Sequence, residues 1–148
     1  MLRAVRDATP RWALVPVLLL LLLAACNDRL KQLRTADKLH GQIEIALRQM
    51  EVGRQVPGLR HRHVTVELDP DNDGFVVKIY DLKLGTADIG FQSFSLMSFS
   101  LAQTDETHFV GDKFAMMPKP IGKGPMEAVQ KLVGLLQRAV STLNETHD

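Results

Sequence analysis

An uncharged run from Trp12 to Cys26, WALVPVLLLLLLAAC, divides this chain into two unlike parts. Before it stand Arg3, Arg6 and Arg11, with Asp7 the one acid. A permanent membrane span needs about 20 consecutive apolar residues, and this run is shorter. A basic start, a short apolar stretch and small residues at its end make the pattern of a secretory signal instead. The expectation is a cleaved segment, residues 1–25, followed by a single exported domain, residues 26–148.

The run closes on LAAC, Leu23 to Cys26, and Cys26 is the only cysteine of the 148 residues. One thiol closes no internal disulfide, so a structural or redox pair is excluded. LAAC resembles the lipobox of bacterial lipoproteins, and the resemblance extends over the whole N-terminal segment. It implies diacylglyceryl transfer to the Cys26 thiol, cleavage before Cys26 and acylation of the new amino terminus. Cys26 is then a lipid attachment point, and the domain is held to the periplasmic face of a membrane. An aspartate directly after the cysteine would favour inner-membrane retention in the enterobacterial sorting rule. Asn27 stands there instead, which favours the outer membrane.

From Cys26 onward 15 Lys and Arg face 16 Asp and Glu, so no basic excess speaks for nucleic acid. Leu30, Leu33, Ala36, Leu39, Ile43, Leu47 and Met50 recur at three- and four-residue steps. That spacing predicts an amphipathic helix starting almost at the lipid, with Asp28 as N-cap and Gly53 and Pro57 as the stop. HVTVELDPDNDGFVVKIYDLKL then alternates as a β-hairpin, with Val64, Val66 and Leu68 on one face and His63, Thr65 and Glu67 on the other. In its second strand Val77 and Ile79 should oppose Val76, Tyr80, Leu82 and Leu84. No charge occurs from Ile89 through Thr104, which predicts a central strand. Its parity changes between the pair Phe94 and Leu96 and the set Met97, Phe99 and Leu101, as a β-bulge would produce. HFVGDKFAMM forms a fourth strand closed by Pro118 and Pro120. Met126, Val129, Val133, Leu136, Val140 and Leu143 mark a last amphipathic helix with Pro125 in its first turn. The fold class expected is α+β: a mainly antiparallel four-stranded sheet with an N-terminal and a C-terminal helix on one face.

Three constellations carry possible chemistry. Asp69, Asp71, Asp73 and Gly74 have the opening spacing of an EF-hand calcium loop. The closing bidentate carboxylate is missing, because Tyr80 occupies that position, so a hairpin turn accounts for the same letters. His61 and His63, two apart on an extended segment, make a weak zinc pair that needs ligands from elsewhere. Arg60 and Arg62 interleave with them as a local basic patch. No G-x-S-x-G turn and no Gly-rich phosphate loop is present, no cofactor is implied, and catalysis is not the expected role.

The leading expectation is a non-enzymatic lipoprotein acting by protein–protein contact in the cell envelope, as an assembly or accessory subunit. Its docking patch should combine outward members of Phe94, Leu96, Met97, Phe99 and Leu101 with Arg60 and Arg62. The first alternative is a binding module for a lipid or small apolar ligand in a slot lined by Phe91, Phe94, Met97, Phe99, Met116 and Met117. The second is a metal-binding protein using His61 and His63.

Overall fold

A computed structural model describes residues 14–71 and 73–144. Its order is α1 (Leu14–Val52), β1 (His63–Asp69), β2 (Gly74–Thr86), β3 (Gly90–Gln103), β4 (Phe109–Met117) and α2 (Lys123–Val140). The four strands form one antiparallel sheet in the order β1-β2-β3-β4, so the α+β reading holds and β3 is an interior strand. The chain divides into two compact units, Met1–Arg34 and Thr35–Asp148. Of the expected signal segment, residues 1–13 lie outside the described residues, as do residues 145–148.

The helix expected to start at Asp28 instead begins at Leu14 and runs unbroken for 39 residues. Leucine and alanine are strong helix formers, Pro16 sits in the first turn where it is tolerated, and no breaker follows before Gly41. In the first unit the apolar side chains of this helix are open to solvent, Leu18 to Leu23 among them, and so are Leu30 and Leu33. The predicted apolar stripe is thus buried only from Ala36 onward. At the other end Arg54, not Gly53, takes the left-handed conformation, with φ 51°. The Gln55 amide donates to the Met50 carbonyl at 3.1 Å and the Arg54 amide to Glu51 at 3.4 Å, the double closure of a Schellman motif.

Ala36, Leu39, Ile43, Leu47 and Met50 of α1 belong to the same core cluster as Ala128, Val129, Leu132, Leu136 and Val140 of α2. Phe75, Val77, Ile79, Leu82 and Leu84 of β2, with Phe94, Met97, Phe99 and Leu101 of β3, complete it. Both helices therefore bury against one face of the sheet. Among the described residues no polar or charged residue is fully buried. The α2 stripe is broader than a 3-4 seam and turned from the predicted one. Leu132 is at its centre, Val133 is half-buried and Met126 is 47% exposed. A helix lying on a sheet buries a wider face than one in a two-helix seam, which brings in Ala128 and Leu132.

One device puts so many β residues on one side. In β2 the inward parity passes from Ile79 to Leu82, and in β3 from Met97 to Phe94. Ile79 pairs with Met97 and Leu82 with Phe94, so the two strands change parity together and keep their register. Asp81, at φ 52°, makes the turn-over in β2. The bulge predicted in β3 lies in β4 instead: the β3–β4 register shifts between Ser98 and Ser100, and Lys113 has φ 55°.

The two ends of the domain are tied by one amide. Gln42 Nε2 donates to the Ala139 carbonyl at 2.5 Å and the Thr142 carbonyl at 2.8 Å. Its Oε1 accepts from the Asn144 amide at 3.0 Å. Two of the groups so satisfied lie at or just beyond the end of α2, where carbonyls have no partner within the helix.

Candidate functional site

The face of the sheet turned away from the helices carries the candidate site. The peptide groups of Arg60 and Lys83 exchange two hydrogen bonds, each 2.8 Å, as an antiparallel pair just ahead of β1. Lys83 pairs in turn with Ser93 of β3. The next row is set by the turn-over at Asp81, whose carboxylate Oδ2 accepts from the Arg62 guanidinium at 3.4 Å. These elements enclose an open depression of about 580 Å³ lined by Arg60, Arg62, Asp81, Lys83, Ser93 and Ser95, with His61 and Phe94 at its walls. Three cations and one carboxylate therefore share its rim.

Beside the depression an apolar row crosses the open face. His63 pairs with Tyr80, Tyr80 with Leu96, and Leu96 with Met117. The His63 ring stacks on Tyr80 with centroids 4.4 Å apart and planes 11° from parallel. Met117 is 61% exposed, and Tyr80 and Leu96 are half-buried. Elsewhere this face is mixed: Thr65, Glu67, Lys78, Ser98 and Ser100 are polar, with Lys78 and Glu67 paired at 3.9 Å, while Val76, Ala102, Val110 and Ala115 share the same side.

The expected docking set is corrected in part. Phe94, Met97, Phe99 and Leu101 are all at most 1% exposed. They point under the helices because the coupled turn-over at Asp81 brings both parities inward. Leu96 alone of the five reaches the open face, and Arg60 and Arg62 are there as expected. The apolar-slot alternative loses support for the same reason: Phe94, Met97 and Phe99 are packed within the core. Phe91 and Met117, proposed for the slot, are 75% and 61% exposed.

His61 and His63 do not face together. His63 takes the open face, whereas the His61 side chain is 8% exposed and lies between two carboxylates of α1. Its Nδ1 is 2.7 Å from Glu51 Oε1 and its Nε2 is 2.9 Å from Glu44 Oε2. A neutral imidazole has only one N–H, so donating to both acids requires the imidazolium. Burial works against that charge, but the hydrogen bonds to Glu51 and Glu44, and their charge, outweigh it and raise the His61 pKa above the ordinary value. His40 stands on the same helix side, 3.9 Å from Glu44, and donates from Nε2 to the Val64 carbonyl. This clamp was missed in the sequence. Its signal is a pair of acids seven residues apart, two helical turns, flanking the buried Leu47.

A pH dependence follows from the clamp. A raised folded-state pKa stabilises fully below the unfolded histidine pKa of about 6.5, and the contribution is lost as pH rises through the folded value. The stability difference between wild type and His61→Ala, from denaturant unfolding, should therefore shrink as pH rises above about 6.5. A difference that grows over that range would refute the imidazolium.

Asp69 and Gly74 pair as the last rung of the β1–β2 hairpin. Asp69 Oδ1 accepts the Asp71 amide at 3.1 Å, so this carboxylate shapes the turn it stands in. Asn72 lies outside the described residues. Among the described residues no three His, Cys, Asp or Glu side chains gather in an arrangement that could hold a metal ion. Cys26 is exposed, on the helical segment of the first unit. Among the described residues no helix is long and apolar enough to cross a membrane.

No protein-family model, no curated protein and no solved structure matches this chain.

Proposed function

We propose that this protein is a lipid-anchored contact subunit of the bacterial envelope, tethered through Cys26 and acting by binding and not by catalysis. The anchor rests on LAAC and on an exposed Cys26 thiol. The outer membrane is favoured by Asn27. The observation that carries the contact role is the row His63, Tyr80, Leu96, Met117, which lies on the sheet face opposite the two helices and borders the basic depression. An apolar strip with a polar and cationic rim has the anatomy of a protein-binding surface. The partner is an envelope protein whose contact surface is apolar at its centre.

Two variants separate the two halves of this reading. Cys26→Ser should abolish incorporation of an alkyne-tagged palmitate and release the protein from the membrane fraction. Mass spectrometry finding an unmodified Cys26 in the membrane-bound wild type would sink the anchor. Met117→Lys, at an exposed position, should retain the lipid and the fold but lose cross-linking to envelope proteins in intact cells. Unchanged cross-links would place the contact surface elsewhere.

A further inference from the structure

Arg60 and Lys83 stand directly opposite each other as a hydrogen-bonded pair, and both side chains are exposed. Like charges in that relation repel and destabilise a sheet. Neither cation has an acidic partner among the described residues, since Asp81 is taken by Arg62 and His61 by its two glutamates. Arg62 is 3.4 Å from Asp81, a long and exposed pair that leaves most of its donors unused. Ser93 adds an exposed hydroxyl from the next strand, with no side-chain hydrogen bond among the described residues. Cationic groups converging with a hydroxyl on one depression form a cradle for a tetrahedral oxyanion, which guanidinium groups grip through paired N–H donors. A volume of about 580 Å³ is far larger than a lone phosphate needs and suits a group with more attached to it.

The neighbouring row says what is attached. Phe91 pairs with Gly85, one step beyond the Lys83–Ser93 row on the same face, and is 75% exposed. An exposed aromatic beside a cluster of cations is the arrangement by which proteins hold a membrane interface: the ring enters the apolar boundary while the cations meet phosphates. We propose that the depression of Arg60, Arg62 and Lys83 binds the phosphate of an anionic phospholipid headgroup, with Phe91 against the lipid's glycerol and upper acyl region. The choice of a membrane lipid as the source of the phosphate rests on the tether reading. The site itself does not depend on the tether.

The test uses the full-length chain carrying Cys26→Ser, held in a neutral detergent, so that a failed anchor and a failed groove are read separately. Dihexanoyl phosphatidylglycerol, dihexanoyl phosphatidylcholine and inorganic phosphate are titrated in turn by calorimetry. Phosphatidylglycerol should bind at least tenfold more tightly than the other two. Arg60→Gln with Lys83→Gln should weaken it at least tenfold, and Phe91→Ala should weaken it while leaving any phosphate binding unchanged. The double variant should melt no lower than its parent, because removing a like-charge pair relieves the sheet. Equal affinity for inorganic phosphate and the lipid would overturn the lipid assignment. Binding that ignores Arg60→Gln and Lys83→Gln, no binding at all, or a lowered Tm in the double variant would overturn the site.

Discussion

Leu136→Asp is expected to leave no cooperative unfolding transition at 25 °C. Leu136 is 0% exposed and sits in the one cluster that joins α1, α2 and the sheet. A carboxylate there must either lose its hydration or be protonated, and the cluster around it is apolar, with no fully buried polar residue among the described residues. The loss of leucine packing adds a cavity cost of about 3 kcal/mol. Together these approach the whole stability of a domain of this size, about 5 to 15 kcal/mol. Circular dichroism of the variant should show lost or strongly weakened structure. A variant that melts cooperatively near the wild-type temperature would mean that α2 is not integral to the core.

Gly85→Ala should be the next most damaging single change, although it adds only a methyl group. Gly85 has φ 105°, which side-chain-bearing residues rarely adopt. A Cβ there would collide with the Gly90 carbonyl oxygen and come within 2.9 Å of Phe91 Cα, both of them backbone or backbone-bound atoms that cannot rotate away. The Gly85 amide also donates to the Pro57 carbonyl at 2.7 Å, so moving the strand breaks that bond as well. Strain and lost pairing should cost about 3 kcal/mol or more. Gly41→Ala is the matched control. Its Cβ would meet nothing within 4 Å, and alanine in a helix interior should add up to about 1 kcal/mol of stability. Urea unfolding of both variants checks the contrast; equal effects would show that the local backbone geometry has been misread.

The elements were legible because their periodicity is simple. The meander of four strands, the interior place of β3 and the two flanking helices follow from alternation, turn residues and the charge-free stretch after Ile89. What was not legible was the facing of single residues. The parity change at Phe94 and Met97 reads as a bulge that splits the strand between two faces. Only the matching change in β2 at Asp81 keeps all of those side chains on one face, and that is a property of two strands together. The same holds for the site. Arg60 and Arg62 were visible as a basic patch, but Lys83 joins them only through a cross-strand pair 23 residues apart. His61 was drawn to His63 by proximity in sequence, while its actual partners, Glu44 and Glu51, come from a helix whose packing no local window contains.

Gln42 sets a constraint on the order of events during synthesis. Its amide joins positions 97 to 102 residues apart, so this closure waits until the chain has been made through Asn144. Until then the apolar side of α1 has neither α2 beside it nor the backbone groups of its tail to hold. Contacts this distant in sequence form late, after the local helices and hairpins. Under the export that the proposed anchor entails, such an arrangement is an advantage: the newly made N-terminal half is available to other factors before the C-terminal segment that completes the fold exists.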